Sequence, residues 1–208
     1  MKVLLLHAWP LDETMWRPQV ALLEAVGLEP EAPRLYGRGA SIDGWAAGLL
    51  AEVEGPFVAV GASMGGYTAL ALARRAPERV AGMALVGSPV RADTAERRAY
   101  REELIAQLRT AGVPDDLATE VGAEELAVAQ EAMRDRPDSS GVAASFGGSL
   151  LVCVGDADDV LPVEEARAVA DGALRGTLHV VPAAGHLVTV ERPREFGEIL
   201  LEFLSQWT

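Results

Sequence analysis

The chain is short of the side chains that build metal and redox sites. Its 208 residues include one cysteine and three histidines. A single cysteine cannot form an intramolecular disulfide, and no cysteine spacing here suits a metal ion. Cys153 lies in the apolar run Leu150-Leu151-Val152-Cys153-Val154, where the expected role is that of a small buried hydrophobe. Positive charge is scarce too. Lys2 is the only lysine, and 18 Lys and Arg stand against 31 Asp and Glu, a formal net charge of -13. That balance argues against nucleic acid and anionic membrane surfaces as partners. No stretch approaches the roughly 20 apolar residues that span a bilayer. The first apolar run, residues 3–6, is too short for a signal-peptide core, so a cytoplasmic location is expected. Internal repeats and low-complexity tracts are lacking as well.

What is present is an ordinary globular composition, 50% hydrophobic and 24% charged, at a length that suits one domain. Apolar runs predict buried strands over residues 2–6, 57–60, 80–87, 150–154 and 177–181. A Pro-interrupted edge strand is expected over 28–36. Helical spacing covers 16–26, 43–54 with Asp43 as N-cap, 65–75, 163–173 and 193–206. From residue 91 to about 148 no strand pattern appears. A charged helix runs from Asp93-Thr94 to Leu108, one or two more cover 115–134, and 136–141 reads as loop. Near-continuously apolar strands alternating with helices predict an α/β fold: a mostly parallel twisted sheet of about six strands, helices on both faces. The segment from about 91 to 148 is expected to insert as a short helical cap over the carboxyl edge of the sheet.

Phe57-Val58-Ala59-Val60 runs directly into Gly61-Ala62-Ser63-Met64-Gly65-Gly66, and an Ala- and Leu-rich helix follows at once. A serine with glycine at both second neighbours suits a strained strand-to-helix turn, where a Cβ on either flank would collide with the adjoining strand or helix. Such a turn exposes the Ser63 hydroxyl above the strand and aims free helix N–H groups at whatever it attacks. A Gly-rich turn with an incidental serine explains the pentapeptide alone equally well, so context decides.

A serine nucleophile needs a base, and the base needs an orienting acid. His179 sits inside a strand run, and His7 ends the first strand. His186 lies in the loop Ala183-Ala184-Gly185-His186-Leu187 ahead of the last helix. The order serine, acid, histidine selects His186 and puts the acid between them. Asp156, Asp158 and Asp159 all qualify, in the loop after Val154.

At this point the chain resembles the α/β-hydrolase superfamily, and within it the small esterase, enol-lactonase and cofactor-free perhydrolase group. His7-Ala8-Trp9-Pro10-Leu11-Asp12 resembles the H-G-x-P oxyanion loop, and Gly61 to Gly66 matches the elbow. Gly155-x-x-Asp158-x-x-x-Pro162 is similar to the acid loop, which selects Asp158. Gly185-His186 matches the histidine loop. The resemblance implies a catalytic triad of Ser63, Asp158 and His186, with backbone N–H groups of Trp9 and Met64 as oxyanion hole. Trp9 and His7 are the implied substrate-binding residues, and neither cofactor nor metal is implied. It also implies a fold without the family's first hairpin, a single domain over 1–208, and a monomer or homodimer.

Two positions depart from the family pattern: Ala8 replaces a usual glycine, and Arg34 stands where many members have Asp. The implied activity is hydrolysis of a small or medium carboxylic ester or lactone. The alternatives are perhydrolysis or C–C bond hydrolysis by the same triad, or a non-catalytic binding protein on this fold.

Overall fold

The computed structural model describes residues 1–207. Six parallel strands form one sheet in the order β2-β1-β3-β4-β5-β6: β1 Lys2–Leu6, β2 Glu29–Glu31, β3 Phe57–Ala62, β4 Val80–Val86, β5 Ser149–Gly155 and β6 Gly176–Val181. Every pairing among them is parallel. The expected edge strand shrinks to three residues, because Pro30 and Pro33 supply no N–H to a ladder.

Alternation along the strands splits the core into two layers. Leu4, Leu6, Phe57 and Ala59 enter one apolar cluster, while Val3, Leu5, Val58 and Val60 enter the other. Helices α2 Ile42–Glu52 and α3 Met64–Arg75 cover the first face, burying Trp45, Leu49, Leu70 and Leu72. The second face receives α1 Arg17–Ala25 and the last long helix, Pro193–Leu204, through Leu23, Phe196, Leu200 and Leu204. Fully burying each such side chain contributes on the order of 1.5–3 kcal/mol. Ser41, not Asp43, caps α2: its hydroxyl accepts the Gly44 N–H at 3.1 Å, and Asp43 lies inside the first turn. There Asp43 pairs with Arg74 of α3 at 2.9 Å.

Between β4 and β5 lie α4 Ala95–Ala111, α5 Ala123–Arg134 and α6 Ser140–Ser145. Thr94 caps α4 through the Arg97 N–H. The third helix, in part of the expected loop, packs on α3 and on the helix after β5. A buried ion cluster ties the segment down. Asp93 faces Arg101 of α4 and, at 2.7 Å, Arg136, with all three side chains at most 8% exposed. The Arg136 guanidinium stacks on the Tyr67 ring of α3, 3.9 Å from its centroid. Helices α7 Val163–Gly172, α8 Val188–Glu191 and α9 Pro193–Leu204 complete the order. No helix among the described residues is long and apolar enough to cross a membrane.

Candidate active site

Because all the strands point the same way, the loops after β1, β3, β4, β5 and β6 meet at one end of the sheet. Ser63 sits there in a conformation rare for a side-chain-bearing residue, φ 48 and ψ -108. Its N–H donates to Val86 O at 2.8 Å, and its carbonyl accepts from Gly66 N–H at 2.9 Å. The flanking glycines are required by close approach. A Cβ on Gly65 would lie 2.0 Å from Leu6 O, and one on Gly61 would lie 2.4 Å from the Gly65 backbone.

His186 Nε2 lies 2.9 Å from Ser63 Oγ, inside ordinary hydrogen-bond reach. Its Nδ1 faces both carboxylate oxygens of Asp158 at 3.0 Å. Asp158 is fixed in turn, since its Oδ1 accepts the N–H groups of Val160 at 2.8 Å and Leu161 at 3.0 Å. Burial alone would raise the Asp158 pKa. The hydrogen bond and charge of His186, with the two backbone N–H groups, outweigh that and hold it below the usual carboxylate range. Asp156 and Asp159 are exposed on the same loop, so of the three candidate carboxylates only Asp158 is buried against the histidine. His179 lies on β6, paired in register with Cys153 and apart from this group.

His7 does not line the site. Its side chain is fully buried. Its Nε2 accepts the Leu35 N–H at 2.9 Å, and Nδ1 lies 3.1 Å from Ala8 O. That pattern assigns a neutral ring with the proton on Nδ1, and burial pushes its pKa down to about 4. The substrate-binding role expected of His7 is therefore corrected: both nitrogens are spent on backbone, and the ring pins the first loop to the segment after β2.

The loop after β1 is held from several sides. The Ala8 N–H faces Met15 Sδ at 3.2 Å. Trp9 is half-buried, and its indole N–H donates to Leu126 O of α5 at 3.3 Å. The Thr119 hydroxyl donates to Pro10 O at 2.7 Å, and Tyr36 Oη donates to Leu11 O at 2.9 Å. Arg34 bridges Glu13 at 3.4 Å and Glu125 at 3.1 Å, which explains a cation at this position: it joins the loop to α5. Met64, the other expected oxyanion donor, opens α3 directly after Ser63, where helix N–H groups lack intrahelical partners.

Sequence reasoning missed Ser88. It is buried, and its hydroxyl donates toward Ser63 O at 3.1 Å and Val86 O at 3.0 Å, bracing the turn beneath the serine. The only sequence signal was its place just after the apolar run of β4.

Known proteins resemble this chain to different extents. A pimeloyl-[acyl-carrier protein] methyl ester esterase from Aromatoleum aromaticum is 38% identical over 92 residues, 41% of this chain and 36% of that protein. The chain thus spans about a third of the length of that curated relative. A thermophilic esterase from Thermogutta terrifontis, solved with malate bound, is 30% identical with a TM-score of 0.91, covering 99% of this chain and 90% of that one. An enol-lactonase from Burkholderia xenovorans LB400 is 23% identical with a TM-score of 0.80, over 98% and 91% of the two chains, a likeness of fold. The model of the alpha/beta hydrolase family matches residues 3–199, nearly the whole sequence, and the chain belongs to that family.

Proposed function

We propose that the protein is a serine hydrolase that cleaves a small or medium carboxylic ester or lactone through an acyl-enzyme on Ser63. The observation that carries the reading is the unbroken hydrogen-bond chain from Ser63 through His186 to buried Asp158. In the first half-reaction Ser63 Oγ attacks the ester carbonyl while His186 Nε2 takes its proton. The tetrahedral intermediate collapses, the C–O bond to the alcohol breaks, and His186 returns the proton to the departing oxygen. Water, deprotonated by the same nitrogen, then attacks the acyl-enzyme and releases the carboxylic acid and free serine. Asp158 holds the imidazole by Nδ1 and balances the positive charge that forms on it.

The N–H groups of Trp9 and Met64 act as the oxyanion hole, each worth roughly 10²–10³ in rate where such donors have been measured. The Ala8 N–H already faces Met15 Sδ, which leaves Trp9 as the donor of that loop. Its half-buried indole walls the acyl side. The esterase names among the relatives support the same substrate class.

A fluorophosphonate probe tests the reading. It phosphonylates Ser63, mapped by mass spectrometry to the peptide that carries it, and Ser63→Ala abolishes the label. No label on the wild type, or undiminished label on Ser63→Ala, would overturn the assignment.

A further inference from the structure

The loop that carries His186, between β6 and α8, is a taut span. Near its start Ala183 has φ 51, in the left-handed region that a residue with a side chain seldom adopts. Such strain persists only where neighbours over-determine it. The loop is pressed against two glycines. A Cβ on Gly155 would lie 2.1 Å from Ala184 O and 2.4 Å from Gly185 O, and one on Gly87 would lie 2.8 Å from His186 O. A further grip comes from two consecutive residues at the end of α8. The Glu191 carboxylate accepts the Gly185 N–H through Oε2 at 2.7 Å and the Leu187 N–H through Oε1 at 3.0 Å. One side chain thus holds the N–H groups of both residues that flank the base. The Arg192 guanidinium donates to Ala183 O, at the strained residue itself.

We propose that Glu191 is a positioning residue for the base of the candidate triad. Its carboxylate fixes the backbone on which the imidazole stands, and so sets the reach from His186 Nε2 to Ser63 Oγ. The inference rests on the serine-hydrolase reading and adds a residue to its machinery. His186 must meet Ser63 Oγ in one step and the departing oxygen or attacking water in the next. Each transfer needs heavy atoms within ordinary hydrogen-bond distance. Ser63 at 2.9 Å and Asp158 at 3.0 Å tie the ring, but neither contact fixes the Cα that carries it. An ionised carboxylate suits that task. It offers two acceptor oxygens, and N–H bonds to a charged group are stronger than those between neutral groups. Glu191 is itself exposed. Water can replace its bonds there, so they add little to the stability of the fold. Their effect falls on the placement of His186.

The test compares the wild type, Glu191→Gln and Glu191→Ala as intact proteins. It reads kcat and KM with p-nitrophenyl butyrate, the rate of Ser63 labelling by a fluorophosphonate, and Tm. It also reads the downfield proton NMR signal of the His186 Nδ1–H bonded to Asp158. Glu191→Ala is expected to lower kcat and the labelling rate about tenfold to a hundredfold, the scale of a misplaced catalytic group, with KM within about twofold of wild type. Glu191→Gln keeps the length and one acceptor oxygen, so both rates fall only about threefold to tenfold, the worth of one hydrogen bond. The NMR signal shifts or broadens in Glu191→Ala and moves less in Glu191→Gln. A fall in Tm with kcat, labelling rate and NMR signal unchanged would overturn the inference and leave Glu191 a purely structural residue. So would a rise in KM with kcat unchanged. Should Glu191→Ala fail to fold, Glu191→Gln decides alone, and wild-type rates with an unmoved signal would overturn the inference. A wild type that neither turns over nor labels would sink the hydrolase reading. The NMR signal, which needs no turnover, then still decides whether Glu191 places His186.

Discussion

A few residues carry conformations or protonation states that the surrounding structure imposes on them. Ser63 is held at positive φ by hydrogen bonds to Val86 and Gly66 and by Ser88 beneath it. Backbone strain of this kind costs on the order of 1–3 kcal/mol and persists only where neighbours over-determine it. His7 is held neutral in the same way. Its folded pKa, about 4, lies below the 6.5 of an unhindered imidazole, so between those values the unfolded chain binds more protons and stability falls as pH falls. The loss amounts to roughly 2 kcal/mol by pH 5 and about 3 kcal/mol below pH 4. Thermal melts should show the wild type losing Tm between pH 7.5 and pH 5 and His7→Asn losing much less; equal losses would contradict the buried neutral ring. The contrast between the histidines shows what was legible. His186 was readable because a glycine-histidine pair in a loop after a strand has a recognisable setting. His7 was not, because the sequence shows a histidine at a strand end but not the Leu35 N–H that occupies it. The cap of α2 failed for a similar reason: Ser41 and Asp43 are both good caps, and only the geometry of the turn chooses between them.

At the scale of elements, the segment between β4 and β5 is tied to the loop after β1. It grips the loop after β1 at Pro10 through Thr119, at Trp9 through Leu126 and at Glu13 through the Arg34 bridge to Glu125. The exposed ion pairs add little individually, whereas the Thr119 bond is short and half-buried. Thr119→Val keeps the shape and removes the hydroxyl. It should lower kcat roughly threefold to tenfold, the worth of about 1 kcal/mol, with KM nearly unchanged. Thr119→Ser, which keeps the hydroxyl, should recover most of it. A fall in Tm without a change in kcat would make the bond merely structural. The sequence announced α4 by the charged run that begins at Asp93-Thr94. It hid α6, because Asp138-Ser139-Ser140-Gly141 reads as a turn and the helix is formed by packing against α3 and α7. Arg34 was visible as a departure, but its partners come from residues 12–13 and 125, far apart in the chain.

At the scale of the whole molecule, the parallel order of the six strands collects the loops that follow them at one end, and the candidate triad draws on three of them. This architecture was largely legible, because strands buried on both faces leave near-continuous apolar runs and covering helices leave the period between. The central claim, that Ser63 is a nucleophile toward esters, is tested most directly by turnover of p-nitrophenyl esters from acetate to octanoate by the wild type and by Ser63→Ala. The expected result is measurable hydrolysis that falls at least about 10³-fold in the variant. Hydrolysis that survives in Ser63→Ala, or a folded wild type with no turnover of any ester, would contradict it.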